Sequence, residues 1–462
     1  MADEQKNRQT TQSGTPRTAP RAVRRVSDLS GRNAETSPAV QPKKIAPSPK
    51  NTADTKPSAP RAAIRQGRGS DDAAPAQTEE KSAVRVKGGI DRIFLALVII
   101  LLCLGSIMVF SASYPYAETK FGDSMYFIRR QLIFAAVGVV AMLLISRIPY
   151  QFFRLVTPAV YGVGLVLLVA TLLMGYSEGV AKRWLGIPNT SFSFQPSEIM
   201  KVALVMMLAW YLERKRDEVV SRGKKNRKKT ILYGVIFPAL IIGPAVGLVL
   251  LEKHLSGTVI LLVIGLAVLF AGGAHPGWMA LIFGTTGLAA GGAFIATNQY
   301  AFDRVMGFIK GQSSTEMTDD RWQTLHGLWA IGSGGLLGLG LGQSRLKYRW
   351  VSQAHNDFIF TIWCEEMGFV GALALIILFG VLVWRGYVIA MRAPDAFSSL
   401  TVFGLTTHVA VQVILNIAVV TDIIPNTGIT LPFFSYGGTS LLILMAEMGI
   451  ILSISRHSVQ KQ

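Results

Sequence analysis

Charged residues are scarce in this chain of 462 residues: they make up 16% of it, whereas hydrophobic residues make up 50%. Soluble domains average about 25% charged residues, so this composition, with a mean hydropathy of +0.39, excludes a soluble globular protein. Cysteine is rarer still, with two residues, which excludes a small disulfide scaffold. Acidic residues are outnumbered, 28 against 46 Lys and Arg. A basic excess can indicate nucleic-acid binding, but the apolar composition argues against nucleic acid and predicts a polytopic membrane protein.

The first 87 residues contain no Phe, Trp or Tyr and are rich in Pro, Ser, Thr and Ala. They hold 17 Lys and Arg against 9 Asp and Glu, a net charge of +8. Such a segment cannot bury enough apolar surface to offset its chain entropy. We therefore predict a disordered basic cytoplasmic tail, either an arm for a partner or anionic lipid or a solvated tether. No secretory signal is expected, because the first apolar run begins near Ile93.

From residue 88 to residue 457 the chain is a series of apolar runs. A membrane span needs about 20 predominantly apolar residues, and lipid leaves the backbone polar groups no partners outside a helix. The expected fold class is therefore an all-α polytopic membrane domain of ten transmembrane helices. The ten runs are Ile93–Ala112, Gln131–Ile148, Phe153–Gly175, Ile199–Leu212, Ile231–Leu251, Leu255–Gly272, Gly277–Thr297, Phe358–Arg385, Ser399–Val420 and Ser435–Ile454.

The orientation follows from the loop at residues 213–229, ERKRDEVVSRGKKNRKK, between the fourth and fifth runs. Basic loops stay in the cytoplasm, so an even number of spans puts both termini there, including the short C-terminal end at residues 458–462. Basic residues at 85–87, at Arg385 and Arg392, and at 456–461 agree with this topology. The long connection between the seventh and eighth runs, residues 298–356, is then extracytoplasmic. It is too apolar to be disordered, so we expect it to pack on the outer face or re-enter it.

Asp357 lies at the predicted outer mouth of the eighth run, flanked by His355, Asn356 and Phe358. A carboxylate partly removed from water has a raised pKa and could take a proton near neutrality. The alternative is a helix N-cap, where an Asp oxygen accepts an exposed backbone N–H. Spacing alone favours the cap, and both roles can hold together.

Two further groups of polar residues flank the fourth run. Lys201 follows Glu198 by three residues, so the two share a helix face; a functional intramembrane pair and a structural ion pair are equally compatible with this spacing. Lys182, Arg183 and Trp184 form a basic-aromatic cluster just before the same run. This cluster suits a phosphate-bearing ligand at the lipid–water boundary, or a simple interfacial anchor.

The glycine-rich run at residues 332–342 superficially matches a dinucleotide-binding loop. No βαβ pattern surrounds it and no acidic residue follows at the required distance, so we reject that interpretation. Glycines there permit close packing or sharp turns. His275, His326 and His408 lack the spacing of a metal site.

Several long segments together resemble the SEDS family (shape, elongation, division and sporulation), which comprises FtsW, RodA and SpoVE. The resemblance covers about residues 88–457, leaves the tail out, and is closest to the FtsW/SpoVE branch in the segment NTGITLPFFSYGGTS. The matching segments are AKRWLGI at 181–187, FQPSEIMKVAL at 194–204, LSGTVI at 255–260, HGLWAIGSGGLLGLGLGQSRLKYRW at 326–350, SQAHNDFIFTIWCEEMGFVG at 352–371 and NTGITLPFFSYGGTSLL at 426–442.

This resemblance implies a glycosyltransferase in the cytoplasmic membrane of a bacterium, active in cell division or sporulation. The implied substrate is lipid II, which is polymerised into peptidoglycan strands on the extracytoplasmic side with release of undecaprenyl pyrophosphate. The implied partners are a class B penicillin-binding protein, which supplies the transpeptidase, and membrane proteins of the divisome or elongasome.

The resemblance also assigns residues. Asp357, in the family's HxDF segment, is the implied catalytic residue, acting as base or as an acceptor-orienting carboxylate in an inverting transfer. The implied substrate-binding residues, several of which would neutralise the pyrophosphate, are Lys182, Arg183, Trp184, Glu198, Lys201, Arg304 and His355. A divalent cation, Mg²⁺ or Mn²⁺, could share this role, although no ligand set is visible in the sequence.

The chain departs from the family pattern at two places. Ser352-Gln353 stands where many members have Pro-Glu, and Glu252-Lys253-His254 stands where many have Glu-Pro-Asp. Two alternative functions stay open: a lipid II flippase, which polar residues such as Lys201 and Asn416 would suit, and a scaffold that only positions the transpeptidase.

Overall fold

The computed structural model describes residues 88–178, 181–186, 193–220, 227–310, 319–352 and 354–457. The predicted tail, residues 1–87, and the short end, residues 458–462, lie outside the described residues. Most of the described chain is helical, and a π-helical segment, Leu232–Ile236, joins α6 to α7. The helices are α1 Arg92–Phe121, α2 Tyr126–Ile145, α3 Tyr150–Met174, α4 Pro196–Arg214, α5 Arg216–Val220, α6 Arg227–Ile231, α7 Phe237–Leu251, α8 Leu255–Ala271, α9 Pro276–Thr297, α10 Gln299–Lys310, α11 Asp319–Ser333, α12 Ile359–Met391, α13 Ala396–Val420 and α14 Gly438–Ser455.

Each of the ten predicted runs overlaps a helix. Within the described ranges, eight helical segments are long and apolar enough to cross a membrane. Helix α8 is apolar but has 17 residues, and α4 carries Glu198, Lys201 and Glu213 along its length. The eight segments are Arg92–Phe121, Tyr126–Ile145, Tyr150–Met174, Lys228–Leu251, Pro276–Thr297, Ile359–Met391, Ala396–Val420 and Gly438–Ser455. The prediction of a mostly helical, multi-pass membrane protein is thus confirmed.

Helix α13 occupies the centre of the bundle, where it packs against α4, α8 and α12, while α14 packs along α2. The apolar side chains of α13 and α14 are largely buried. Three polar residues of α13, His408, Gln412 and Asn416, are also buried. Because an unpaired polar group in an apolar interior is costly, these three side chains mark places where α13 must meet other polar groups.

The first helix and the ends of α12 and α14 meet at one end of the bundle. Arg385 forms an ion pair with Asp91 at 2.7 Å between Nη2 and Oδ2. The Asp91 amide donates to Ser455 Oγ, and the Gly88 amide donates to the carbonyl of Arg456. Basic markers that the sequence assigns to the cytoplasmic side therefore lie together in the fold.

A small antiparallel sheet interrupts the helical pattern between α3 and α4, a feature that the all-α prediction did not include. Its strands are β1 Tyr176–Glu178, β2 Ala181–Gly186 and β3 Ser193–Phe194, in the order β1-β2-β3. Trp184 pairs with Tyr176, and Leu185 pairs with Phe194. The segment lies beyond the end of an apolar run, where the requirement for helical backbone pairing no longer applies.

Two helices, α10 and α11, lie in the connection that the sequence presents as one long loop, and the glycine-rich turn follows them. This turn docks on α12, where Gly368 breaks the helix with φ 66°. The Leu339 amide donates to the carbonyl of Glu365 at 3.0 Å, and the Gly340 amide donates to that of Glu366 at 2.9 Å. The kink in α12 thus exposes carbonyl groups that the turn satisfies.

Glycine is required at the centre of this contact. A Cβ on Gly338 would lie 2.2 Å from the carbonyl oxygen of Glu366, and one on Gly334 would lie 2.1 Å from that of Cys364. Gly338 also has φ +80°, a conformation that costs an L-residue energy. The predicted role of the glycine run in close backbone packing is confirmed.

Gly338→Ala should therefore destabilise the protein by at least about 2 kcal/mol, because overpacking and left-handed strain add. The matched control is Gly332→Ala on α11, where a Cβ meets open space and the change should be neutral or slightly stabilising. Unfolding of both variants in detergent, monitored by circular dichroism, gives the comparison. Equal stability of the two variants would contradict the described docking.

A buried ion pair between Lys347 and Glu366 also holds the glycine-rich turn against α12. Lys347 Nζ lies 2.9 Å from Glu366 Oε1, and both side chains are completely buried. The same ammonium donates to the carbonyl of Gly342 at 2.7 Å, and Ser111 Oγ donates to the Glu366 carboxylate at 2.6 Å. Neighbouring Glu365 accepts the Arg345 amide at 2.8 Å. The fold thus anchors the turn directly before the segment that contains Asp357.

Candidate active site

Asp357 lies immediately before α12 and is half-buried. The helix begins at Ile359, and its N-cap is Phe358, which makes no side-chain capping bond. The alternative interpretation of Asp357 as the N-cap residue is therefore wrong.

The backbone around Asp357 is fixed to the loop between α13 and α14, residues 421–437. The Tyr436 amide donates to the carbonyl of His355 at 2.9 Å, and Ser435 Oγ donates to that of Asn356 at 2.7 Å. Asn416 Nδ2 donates to the carbonyl of Asp357 at 2.8 Å. Three consecutive residues are thus held by the α13–α14 region, through bonds between residues that are 59 positions apart for Asn416 and 79 for Ser435.

Gly428 lies against the carboxyl group of Asp357. A Cβ at this glycine would lie 3.4 Å from Asp357 Oδ2, so the carboxylate faces the loop that holds its backbone. Gly428 has φ +67°, which glycine adopts without steric cost. The loop therefore brings glycine backbone close to the Asp357 carboxylate.

His355 packs among aromatic rings, with its centroid 5.3 Å from that of Tyr116 and 4.6 Å from that of Phe127. Burial, with a smaller contribution from the nearby Lys120, lowers the pKa of His355 to about 4. The imidazole is consequently neutral at neutral pH. It can orient a polar group but cannot supply positive charge to an anionic substrate.

Lys201 and Glu198 form an ion pair near the start of α4, at 2.8 Å between Nζ and Oε2. The Lys201 side chain is 2% exposed and that of Glu198 is 12% exposed. The structural ion pair expected as one alternative is therefore present. Lys201 is too buried to reach a large ligand directly, so its charge acts over a distance, partly offset by Glu198.

Arg183 lies on β2, close enough to the turn between α7 and α8 to influence two of its groups. Burial raises the pKa of Glu252 to about 8, although Arg183 lowers it. Burial, with Arg183 and Lys201 nearby, lowers the pKa of His254 well below its usual value. His254 Nδ1 lies 3.2 Å from the side-chain nitrogen of Gln195. These groups form a polar cluster of buried and half-buried side chains, which we call the α4 cluster: Arg183, Gln195, Glu198, Lys201, Glu252 and His254.

The remaining site candidates are less constrained. Trp184 pairs with β1 beside Arg183 and is half-buried, as an interfacial aromatic would be. Lys182 belongs to β2 and Arg304 to α10, but the side chains of both lie outside the described part of the structure. Their predicted contribution to substrate binding stays a prediction.

A cavity lies between Glu198 of the α4 cluster and the loop that holds the Asp357 backbone. Glu198 lines one side, and Thr430, Ser435 and Tyr436 line the other. His408 and Glu447 also line the cavity, with His408 Nδ1 3.0 Å from Glu447 Oε1. The structure thus brings Glu198 to the same cavity as the 430–437 segment, whose Ser435 and Tyr436 bind the backbone beside Asp357.

Sequence reasoning missed most of the contacts that organise this site. It did not connect Asn416 to Asp357, nor pair His408 with Glu447 or Lys347 with Glu366. One signal was available: His408, Gln412 and Asn416 recur every four residues, which puts them on one helix face. Among the described residues, no group of three or more His, Cys, Asp or Glu side chains could hold a metal ion.

A family model for FtsW, RodA and SpoVE, described as a cell cycle protein, matches residues 91–460. The chain is 35% identical over 370 residues to stage V sporulation protein E of Bacillus subtilis, covering 80% of this chain and 97% of that protein. It is 37% identical over 378 residues to a probable peptidoglycan glycosyltransferase FtsW of Thioalkalivibrio sp., covering 81% and 91%.

Two solved structures share the fold. One is the crystal structure of Thermus thermophilus rod shape determining protein RodA, with a TM-score of 0.58 and 27% identity, covering 80% of this chain and 98% of that one. The other is described as the structural coordination of polymerization and crosslinking by a peptidoglycan synthase complex, with a TM-score of 0.62 and 25% identity, covering 79% and 98%.

Proposed function

This chain belongs to the FtsW/RodA/SpoVE family of cell cycle proteins, and we propose that it is a peptidoglycan glycosyltransferase that polymerises lipid II. The observation that carries the proposal is the fixing of the Asp357 backbone by the α13–α14 region, where Ser435 and Tyr436 also line a cavity with Glu198. Relatives named probable peptidoglycan glycosyltransferase FtsW, at 33–37% identity, support the same activity.

The proposed topology has ten spans, with α4 and α8 added to the eight longer segments, in the cytoplasmic membrane of a bacterium. Both termini are cytoplasmic, and residues 298–356 lie outside with the active site. Support comes from the basic loop at 213–229 and from the contacts of Asp91 with Arg385 and Ser455 at one end of the bundle.

In the proposed reaction, Asp357 accepts the proton of the acceptor sugar's 4-hydroxyl as that oxygen attacks the anomeric carbon of the donor. The bond from this carbon to the pyrophosphate breaks, and undecaprenyl pyrophosphate leaves with the electron pair. Because the donor is α-linked and attack comes from the opposite face, the new bond is β-1,4. A positioned base of this kind contributes about 10²–10⁴-fold in rate.

The α4 cluster supplies the positive charge that the departing pyrophosphate requires. Arg183 and Lys201 carry one positive charge each, and Glu198 carries one negative charge. Because its pKa is raised, Glu252 is protonated in most molecules near neutral pH. His254 is neutral because its pKa is lowered. The net charge of the cluster is then +1, which favours an anionic lipid head group.

This balance predicts a pH dependence. As the pH rises through about 8, Glu252 loses its proton and its new charge offsets that of Arg183, so the KM for lipid II should rise. Glu252→Gln cannot ionise, and its KM should stay flat over the same range. Initial rates between pH 7 and pH 9 measure the effect. Glu118→Gln, at an exposed position on α1, should keep the wild-type profile, whereas a rise retained in Glu252→Gln would contradict the assignment.

A divalent cation, Mg²⁺ or Mn²⁺, remains part of the expectation for this family. Within the described residues the acidic and imidazole side chains supply no ligand set for it, so we derive no step through a metal. Neutralisation of the pyrophosphate is assigned to the α4 cluster, joined by Lys182 and Arg304 as further candidates.

The proposed partner is a class B penicillin-binding protein, which would cross-link the strands made by this chain, together with membrane proteins of the divisome or elongasome. A solved structural relative that is described as part of a peptidoglycan synthase complex supports such a pairing. Co-purification of this chain with a transpeptidase from the same cell membrane tests the pairing.

Incubating the purified full-length chain with lipid II, with and without a class B penicillin-binding protein, tests the activity. A polymerase yields glycan strands, which gel electrophoresis resolves. A flippase would instead move labelled lipid II across liposomes without making polymer, and a scaffold would do neither. Asn416 argues against a transport path, because its Nδ2 is committed to backbone carbonyls.

A further inference from the structure

One face of α13 carries three buried polar side chains, His408, Gln412 and Asn416, each four residues from the next. Their exposed fractions are 3%, 5% and 0%. Polar groups in a membrane-spanning helix are costly unless paired, and they mark functional positions. We call these three residues the polar face of α13.

Two of the three residues bind the loop that surrounds the active site. Gln412 Nε2 donates to the carbonyl of Thr430 at 3.0 Å and to its hydroxyl at 2.9 Å. Asn416 Nδ2 donates to the carbonyl of Ile429 at 2.6 Å and to that of Asp357 at 2.8 Å. A single amide group on α13 thus holds the Asp357 backbone and the loop beside Gly428 in one fixed relation.

Asn416 acts through this amide nitrogen. Its side chain is fully buried, and within the described residues its Oδ1 has no hydrogen-bond partner. Its two N–H donors point to two separate chain segments, so no apolar side chain can replace them. Since Gly428 approaches the Asp357 carboxylate, the Asn416 bonds set the distance between that carboxylate and the loop.

We propose that Asn416 is a positioning residue for Asp357, and that its amide locks the carboxylate in the orientation that receives the acceptor proton. This inference rests on the proposed glycosyltransferase function. Misplacement of a catalytic group by about 1 Å can cost about 10²-fold in rate. Asn416 bonds to the Asp357 backbone and to Ile429, and none of its described contacts reaches the α4 cluster. Its loss should therefore lower kcat and leave the KM for lipid II unchanged.

The test compares Asn416→Ala and Asn416→Asp with the wild-type full-length chain in lipid II polymerisation. The first removes the side chain beyond Cβ, and the second keeps its shape while replacing the amide donors. The matched control is Thr401→Val, a buried polar-to-apolar change on the same helix, where Thr401 Oγ1 has no hydrogen-bond partner among the described residues. Gel filtration and thermal unfolding in detergent establish that each variant is folded.

We expect kcat to fall about 10²-fold in whichever Asn416 variant is folded, with an unchanged KM and a wild-type kcat in Thr401→Val. Wild-type kcat in a folded Asn416 variant, or a raised KM with unchanged kcat, would overturn the inference while leaving the proposed function intact. A wild-type chain that makes no polymer would instead contradict the proposed function itself, and the inference would fall with it.

Discussion

Asp357→Asn is expected to abolish lipid II polymerisation, with a loss of about 10²–10⁴-fold or more in rate, while folding and lipid II binding persist. The amide has the same shape as the carboxylate but cannot accept the proton of the acceptor hydroxyl. The backbone carbonyl of this residue accepts from Asn416, and the substitution leaves that bond in place. Turnover by the purified variant, compared with its lipid II binding isotherm, measures the effect.

Asp422→Asn provides the matched control for this experiment. Asp422 follows α13 at a left-handed position with φ 57°, which Asn tolerates well, and its amide donates to the carbonyl of Val419 within the same turn. The control should keep wild-type turnover. Normal glycan strands from Asp357→Asn would contradict the assignment of Asp357 as the base. Loss of turnover in both variants would show that turnover depends on negative charge in this region rather than on Asp357 itself.

Lys347→Met is expected to give the largest loss of stability, about 3–5 kcal/mol, because it leaves a buried carboxylate without its counter-charge. The Lys347–Glu366 pair is completely buried, and the Lys347 ammonium also binds the carbonyl of Gly342. Denaturant titration in mixed micelles measures the free energy of unfolding. The turn before the Asp357 segment should loosen, so polymerisation should fall as well.

The double variant Lys347→Met with Glu366→Gln separates charge from packing. With both charges removed, much of the lost stability should return, because replacing a whole buried pair is often nearly neutral. Arg129→Met tests a surface pair, Arg129 with Asp123, whose side chains are 67% and 36% exposed, and it should cost no more than about 1 kcal/mol. Equal losses in the single and double Lys347 variants would show that the ion pair is not the source of the effect.

The helical architecture was predictable because lipid imposes it. Long apolar runs must pair their own backbone groups, so each predicted run coincides with a helix. Asp357 could be singled out for the same reason: a carboxylate at the end of an apolar run is costly and therefore conspicuous. The sheet at 176–194 and the helices α10 and α11 lie beyond the runs, where this constraint no longer determines the backbone.

The organisation of the site was less accessible, because it depends on contacts between distant segments. Asn416 and Asp357 are 59 residues apart, and Ser435 and Asn356 are 79 apart; no local pattern predicts such pairs. The glycine run is similar: its composition indicates close approach, but the partner is the kink at Gly368. The spacing of His408, Gln412 and Asn416 does mark a polar helix face, although it does not name what that face binds.

The α4 cluster shows how a departure from the family pattern can be accommodated. His254 stands where many members have Asp, and burial beside Arg183 and Lys201 keeps it neutral by lowering its pKa. Glu252, two residues earlier, has both carboxyl oxygens buried and, among the described residues, without hydrogen-bond partners. With a neutral His254 in place of the Asp that many members have, the cluster keeps a net positive charge near neutral pH.

Inverting polymerisation is tested most directly by analysing the products that the purified wild-type chain makes from lipid II, namely the glycan strands and the released lipid. NMR of the anomeric carbons in the strands, together with quantification of the released lipid, gives both stereochemistry and stoichiometry. We expect β-1,4 linkages and one undecaprenyl pyrophosphate released for each disaccharide added. Lipid II recovered intact, or strands with α linkages, would contradict the proposal that Asp357 directs a single displacement at this site.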